Sequence, residues 1–150
     1  WIPVLGWSLS LVGYIPLVRG ELQSAKDALE QASGYLKRGV SVLFFPEGTR
    51  SPDGEIQRFK TGAFKIAREA GVPIVPIVID GTRELIPKGS RLLLRRVEVR
   101  VKVGVPRNPS DEQASSIETF CEDVRVHMIA SLAELRSRGQ MSGLFAFVPV

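Results

Sequence analysis

Four consecutive residues, 47 to 50, bring together a carboxylate, a glycine, a hydroxyl and a guanidinium. They follow an apolar run, Val40 to Phe45, which predicts a buried strand. Pro46 therefore begins a loop at the carboxyl end of that strand, where open α/β sheets usually place their ligand sites. A planar guanidinium with five donors suits a phosphate oxyanion, and a glycine lets the backbone approach a ligand closely. The pattern favours an anion site over the alternative, a solvated turn with an incidental surface ion pair.

The segment Phe-Pro-Glu-Gly-Thr-Arg-Ser at 45–51 resembles the third sequence block of the glycerolipid acyltransferases, the 1-acylglycerol-3-phosphate acyltransferase family. Three more stretches agree with it in the same order. Gly13 to Gly20 is similar to the second block, although Pro16 or Leu17 stands where the family usually has Phe. Arg58 to Phe64 is similar to the Phe-Lys-x-Gly segment, and 72–79 to the fourth block. The resemblance covers roughly residues 1 to 105.

The resemblance implies a role for each matching residue. Two arginines would clamp the phosphate of the acceptor, and a lysine would add a third positive charge. The glutamate would orient the second arginine or a donor at the edge of the site, and its two successors would offer backbone and hydroxyl donors. The glycine of the Phe-Lys-x-Gly segment would also belong to the site, and a proline would shape its wall. The two arginines are Arg19 and Arg50, and the lysine is Lys60. The glutamate is Glu47, and its two successors are Gly48 and Thr49. The glycine of the Phe-Lys-x-Gly segment is Gly62, and the proline is Pro76.

The catalytic block of the family is not found in this sequence. That block is a histidine followed five residues later by an aspartate, and it precedes the second block. The single histidine here is His127, and Leu132 stands five residues further on. His127 falls on a predicted amphipathic helix, where we expect a partly buried structural histidine. The resemblance therefore implies a fragment cut shortly after the histidine–aspartate pair, with no catalytic residue of its own and no activity alone.

In the family, the histidine deprotonates the free hydroxyl of a lysophosphatidic acid, which attacks the thioester of an acyl-CoA or acyl carrier protein. The product is phosphatidic acid, an intermediate of phospholipid biosynthesis. The resemblance thus implies lysophosphatidic acid, an acyl donor and a membrane surface as partners, at the cytoplasmic face of a membrane. Two alternatives stay open: another acceptor, such as dihydroxyacetone phosphate or a lysophospholipid, and a non-catalytic lipid-phosphate or membrane-binding remnant.

Length and composition predict one domain, residues 1–150, because 150 residues with 44% apolar side chains suffice for a core. The one cysteine, Cys121, cannot form an internal disulfide, and its place on an apolar stripe predicts an inert buried thiol. No metal-ligand spacing, Walker loop or Gly-x-Gly-x-x-Gly turn is present, so neither a metal nor a cofactor is expected.

Positive charge is concentrated between residues 83 and 107, which hold eight basic and two acidic side chains. Such a surface attracts phosphates of lipid headgroups, coenzyme A or nucleic acid. A solvated edge strand guarded against aggregation is an equally weighted alternative. A nucleic-acid partner is not expected, because no aromatic residues interleave with these arginines for base stacking.

Both ends of the chain are apolar. Residues 1–18 carry no charge, which nominally reaches the length of a membrane span, but prolines and glycines divide the run. We favour a membrane-facing or core helix over a span. The tail, Leu144 to Val150, is a second candidate for membrane contact, or the start of another element.

The periodicity predicts an α/β fold: a mixed, largely parallel central sheet flanked by helices, with its first elements missing. The strict alternation of residues 97–103 predicts a half-exposed strand with one buried apolar face and one charged face. A capping box, Ser110 with Gln113, predicts the start of the last helix. The predicted helices are Leu22–Lys37, Gly62–Ala70 and Pro109–Arg136, and the predicted strands are Ile15–Val18, Val40–Phe45, Ile74–Ile79 and Val97–Val103.

Overall fold

The computed structural model describes residues 13–18, 20–82, 97–110 and 116–144, with side chains up to residue 137 in the last helix. The described part is a mixture of helices and a small antiparallel sheet, which confirms the helix-and-sheet class. In chain order its elements are α1 (Leu22–Lys37), α2 (Gly62–Glu69), β1 (Ile77–Asp80), β2 (Arg100–Val103) and α3 (Ile117–Leu144).

The first helix has the bounds that its apolar spacing predicts, and its end has a local cause. Gly39 has a φ of 76°. Its N–H donates to the Leu36 carbonyl at 2.9 Å, and the Val40 N–H donates to the Tyr35 carbonyl at 3.0 Å. This pair of bonds is a Schellman motif, which satisfies carbonyls that the helix itself leaves unpaired. A similar pair of bonds closes α2, which ends one residue before the predicted end.

The last helix begins later than predicted. Ser116 caps it, since its Oγ accepts a hydrogen bond from the Thr119 N–H at 3.1 Å. Ser110 lies in a turn, where its own N–H donates to Asn108 Oδ1 at 3.1 Å. The predicted start at Pro109 is therefore wrong, and Gln113 lies outside the described residues. The helix also continues past the predicted end to Leu144.

The core lies where α3 crosses α2 and the segment before it. The rings of Phe59 and Phe64 stack with centroids 6.2 Å apart, and Phe64 meets Phe120 edge-on at 6.0 Å. Cys121 joins this cluster at 4% exposure, which confirms a buried thiol. Burial is the main cause that raises the pKa of Cys121, so its reactive thiolate form is disfavoured.

The sheet pairs β1 with β2 antiparallel, with Val78 opposite Lys102 and Asp80 opposite Arg100. The face that carries these residues packs against α3: Val78 is 4% exposed, and Lys102 forms an ion pair with Glu134 of the helix. The opposite face is apolar and exposed, with exposed fractions from 37% to 63% for Ile77, Ile79, Val101 and Val103. The prediction that the valine face of β2 is the buried one is therefore wrong in the described structure, because α3 pairs with the charged face.

The predicted parallel strands are not formed among the described residues. The segments 15–18 and 40–45 have no strand partner there, and Leu43 and Phe45 are 71% and 73% exposed. The prediction of a buried strand at 40–45 is therefore wrong for this structure, since no neighbouring strand covers the segment. The third predicted strand starts late: β1 begins at Ile77, after an isolated bridge between Ile74 and Arg107.

Truncating one valine on each face of the sheet tests this arrangement. In the 150-residue chain, we expect Val78→Ala to lower the free energy of unfolding by about 2 kcal/mol, because it removes buried methyl groups. Val101→Ala, on the exposed face, should change it by less than about 0.5 kcal/mol. Urea unfolding of the two variants measures both values. Equal losses would contradict the assignment of the two faces.

Candidate functional site

The sequence-predicted anion site lies in one loop, residues 46–60, which connects the extended segment 40–45 to α2. The loop is closed at its base, where the Lys60 N–H donates to the Pro46 carbonyl at 2.8 Å. A tight turn opens it, with the Gly48 N–H donating to the Phe45 carbonyl at 3.0 Å. Phe59, which is 6% exposed, anchors the second side of the loop in the core. The loop is thus fixed at both ends of its base.

Glu47 holds the interior of the 46–60 loop together. Its Oε2 accepts a hydrogen bond from the Gln57 backbone N–H at 3.1 Å, across ten residues of chain. Bonds to an ionised carboxylate are stronger than neutral ones. In the described part of the chain, Glu47 forms no ion pair with Arg50, so the alternative of an incidental charge pair finds no support. Glu47 instead fixes the turn that carries residues 48–50.

Gly48 and Lys60 are in close contact. Gly48 has a φ of 69°, a conformation that disfavours side chains. A Cβ at this position would lie 3.0 Å from both Cε and Nζ of Lys60. The ammonium end of Lys60 therefore lies over the backbone of the turn, which only glycine allows without displacing it.

Thr49 and Arg50 follow this turn and are exposed. Within the described ranges, the Arg50 guanidinium has neither a hydrogen bond nor an ion pair. An exposed arginine without a protein partner, next to a turn lined by a lysine, presents positive charge to solvent. Thr49 and Arg50 directly follow Gly48, against which Lys60 of the other side of the loop packs, and the Glu47 carboxylate accepts from a backbone N–H. The arrangement therefore offers two cations and a hydroxyl to an anion.

The tip of the loop is shaped by its own polar side chains. Asp53 Oδ1 accepts hydrogen bonds from the Ser51 hydroxyl at 2.8 Å and from the Glu55 N–H at 3.0 Å. The Gly54 N–H donates to Ser51 Oγ at 2.9 Å. The predicted turn at 51–54 is thus confirmed. Such local bonds set the shape of the tip.

The tip is attached to the rest of the molecule in two ways: Ile56 packs against the core, and Arg136 of α3 holds two polar groups of the tip. Arg136 donates through Nη1 to Glu55 Oε1 at 2.5 Å and through Nη2 to the Gly54 carbonyl at 2.8 Å. The hydrogen bond to Glu55 is the main cause that raises the pKa of Arg136. Sequence reasoning did not find Arg136 or Gln57. Arg136 lies 82 residues from its carbonyl partner, and Gln57 reaches Glu47 through a backbone N–H that any residue except proline would offer, so neither gives a local signal.

The other predicted site residues lie in the framework or outside the described ranges. Arg19 is not among the described residues. Gly62 begins α2, and a Cβ there would lie 2.9 Å from Leu29 Cδ1, so Gly62 lets α1 and α2 approach. Pro76 is buried before β1, and its carbonyl accepts a hydrogen bond from the Gly104 N–H at 2.8 Å. Their roles toward a substrate stay predictions.

His127 lies on α3 with an exposed side chain, so the expectation of a partly buried histidine is wrong. The residue five positions on, Leu132, is buried at 4% exposure and offers no carboxylate. Nothing in the described part of the chain orients His127 as a base.

The remaining surface of the described residues carries one cleft away from the 46–60 loop. A cleft of about 460 Å³ lies between α1 and α2, with Glu30, Lys37 and Glu69 in its lining, and the 46–60 loop does not contribute to it. No cluster of three or more metal-ligating side chains occurs in the described ranges. No helix in those ranges is long and apolar enough to cross a membrane.

The described part combines a helix-and-sheet framework with a loop on which Arg50 and Lys60 are exposed, and comparison with known proteins gives its family. The model of the family described as Acyltransferase matches residues 1–80, more than half of the chain. The chain belongs to the acyltransferase family.

Individual proteins similar to this chain have more specific names than the family model. The chain is 41% identical over 131 residues to a chloroplastic 1-acyl-sn-glycerol-3-phosphate acyltransferase of Brassica napus, covering 87% of the chain and 37% of that protein. It is 33% identical over 138 residues to the enzyme of the same name from Saccharomyces cerevisiae, covering 90% and 45%. The crystal structure of the 1-acyl-sn-glycerophosphate (LPA) acyltransferase PlsC from Thermotoga maritima matches with a TM-score of 0.71 and 35% identity, covering 90% and 52%. The chain thus spans less than half the length of these two curated relatives.

Substituting alanine for Gly48 and for Gly39, which have similar φ angles, distinguishes the effect of backbone strain from the effect of the contact with Lys60. We expect Gly48→Ala and Gly39→Ala each to cost about 1–2 kcal/mol of stability in the complete protein, because alanine is strained at positive φ. Only Gly48→Ala should also weaken binding of an anion such as inorganic phosphate, since no atom lies within 4 Å of a Cβ at Gly39. Urea unfolding and calorimetric titration measure the two effects. Equal phosphate binding by both variants would contradict a role for the Gly48–Lys60 contact.

Proposed function

We propose that this chain is the acceptor-binding part of a 1-acylglycerol-3-phosphate acyltransferase. The reaction moves a fatty acyl group from acyl-CoA or acyl carrier protein to the free hydroxyl of 1-acylglycerol-3-phosphate and gives phosphatidic acid. The names of the relatives support this activity. The observation that carries it is the 46–60 loop, in which Lys60 lies over Gly48 while Arg50 is exposed and without a protein partner in the described structure.

In this proposal the loop holds the phosphate of the acceptor and so places its hydroxyl for reaction. Arg50 donates a charge-assisted hydrogen bond to the phosphate, and Lys60 adds a point charge. Arg19 completes the clamp, and Thr49 donates from its hydroxyl. Glu47 contacts the loop rather than the substrate. Orientation of two reactants of this kind supplies a large share of the rate enhancement in bimolecular reactions.

The chemistry at the hydroxyl needs a base that this sequence does not supply. The base takes the proton, the oxygen attacks the thioester carbonyl, and the carbon–sulfur bond breaks. The base then returns the proton to the leaving sulfur, so that the carrier leaves as a thiol. We place the base in a histidine–aspartate pair of the complete protein, upstream of residue 1. Pro76 and the apolar residues around it form part of the wall beside the acyl chain.

We also propose that residues 1–150 belong to a single acyltransferase domain with a largely parallel central sheet. Two apolar surfaces support this proposal: the exposed segment with Leu43 and Phe45, and the outer face of β1 and β2. Further strands and covering elements of the complete protein would bury both surfaces. The match to PlsC over half of that chain supports the same architecture.

A lipid acceptor requires access to a membrane, and we propose that the protein works at the cytoplasmic face of one. The acceptor and the product are both membrane lipids. The basic stretch at 83–107 favours an anionic lipid surface. The membrane surface is therefore the third partner beside the acceptor and the acyl donor.

Arg50→Ala tests the phosphate clamp. In the complete protein we expect the KM for lysophosphatidic acid to rise about 10- to 100-fold, the loss of one charge-assisted bond of about 1.5–3 kcal/mol. The kcat should change little, because the phosphate is held in the ground state and the transition state alike. Arg68→Ala is the matched control, an exposed arginine on α2 away from the loop. An unchanged KM would remove Arg50 from the site, and vesicle binding without any turnover in the parent protein would favour the non-catalytic alternative.

His127→Ala tests where the base lies. We expect kcat and KM of the complete protein to stay within about twofold of the parent, because an exposed histidine on the outer helix has no carboxylate to orient it. Steady-state kinetics with both substrates measure this. A loss of more than about 10²-fold in kcat would place the base in this chain after all.

A further inference from the structure

We propose that Arg136 of α3 is a positioning residue for the 46–60 loop: its guanidinium fixes the place of the loop tip and thereby the place of the anion-binding turn. Arg136 lies at the far end of the chain from the loop and outside every segment that resembles a family block. Its effect on the acceptor rests on the proposed function, whereas its effect on the loop does not.

The guanidinium reaches three acceptors on two different elements. Nη1 and Nη2 bind the tip of the loop, at the Glu55 carboxylate (2.5 Å) and the Gly54 carbonyl (2.8 Å). Nε lies 3.5 Å from Oδ1 of Asp80, at the end of β1. A planar, rigid donor set of this kind holds its partners in one relative orientation, which a lysine ammonium does not do. Arg136 therefore joins helix, loop and sheet at one point.

A short path leads from this point to the anion-binding turn. The Gly54 carbonyl and Glu55 are held by Arg136, and two residues further on the Gln57 N–H donates to Glu47 at 3.1 Å. Glu47 directly precedes Gly48, over which Lys60 lies. The outer end of the loop is thus attached to α3 and its inner end to Glu47.

The internal bonds of the tip do not replace this attachment. The hydrogen bonds that Ser51 Oγ and Asp53 Oδ1 make with residues 51–57 fix the shape of the tip, whereas the bonds of Arg136 join it to another element. The helix that carries Arg136 is itself anchored, because Phe120 and Val124 of α3 lie in the core at 3% and 1% exposure. Ile56, beside Glu55, also packs against this core, and Arg136 adds the polar attachment that joins the Glu55 carboxylate and the Gly54 carbonyl to α3.

The experiment compares Arg136→Ala with Arg125→Ala in the complete protein. Arg125 is the matched control, because it lies on the same helix and forms a forked ion pair with Glu122, and within the described residues none of its own hydrogen bonds or ion pairs reaches the loop. Hydrogen–deuterium exchange is followed at the backbone N–H of Gln57, which donates to Glu47 and does not contact Arg136. The kinetics with lysophosphatidic acid are measured in parallel. Arg136→Lys, which keeps the charge without the fork, is measured beside them.

We expect Arg136→Ala to speed exchange at Gln57 about tenfold, as local opening of the loop becomes easier, while Arg125→Ala leaves it unchanged. The KM for the acceptor should rise about tenfold with kcat within about twofold, since displaced binding groups weaken acceptor binding without removing the base. Arg136→Lys should recover less than half of either loss, because an ammonium does not reproduce the fork.

Three results would overturn the proposal: unchanged exchange at Gln57 in Arg136→Ala, equal effects of Arg125→Ala, or faster exchange with an unaltered KM. If the parent protein does not use lysophosphatidic acid at all, the proposed function fails separately. The exchange data then decide alone: selective loss of protection in Arg136→Ala supports the positioning role, and its absence overturns it.

Discussion

The carboxylate of Glu47 accepting the Gln57 N–H is the interaction on which the arrangement of the loop depends. A loop of this length has no ladder of its own, yet each buried or half-buried N–H in it needs an acceptor. By accepting from Gln57 at 3.1 Å, Glu47 both satisfies one such donor and draws the two sides of the loop together. This leaves Arg50 without a protein partner in the described structure. A carboxylate that served the arginine instead would neutralise the charge that an anion needs.

Around that bond the loop is held at successive levels by different chemistry. The base uses a backbone pair, Lys60 with Pro46, and an aromatic anchor, Phe59. The tip uses its own serine and aspartate, and the outermost contact is a guanidinium from another element. Surface ion pairs taken singly stabilise little. Here Arg136 binds two groups of the tip at once, so the contact fixes the orientation of the tip even if it adds little to the stability of the protein.

A feature is predicted correctly from the sequence when the interactions that determine it join residues close together in the chain. The bounds of α1 and the turn at 51–54 depend on residues a few positions apart, and both agree with the structure. The loop residues from Glu47 to Lys60 are found together because they are neighbours in the chain. The start of α3 is misplaced because Ser110 and Ser116 offer similar caps. Alternation in β2 shows that the strand has two faces, but which face a helix covers depends on Glu134 and Arg136, far along the chain. The same distance hides Arg136 from sequence reasoning altogether.

The buried cysteine gives this protein an intrinsic reporter. Cys121 is the one cysteine in the sequence, and it lies in the contact between α3 and the core below the loop. A thiol reagent reaches it only when that contact opens, since burial both shields the sulfur and keeps its proton on. In the 150-residue chain, the rate of its modification under native conditions therefore reports the opening of α3, without a cysteine having to be introduced.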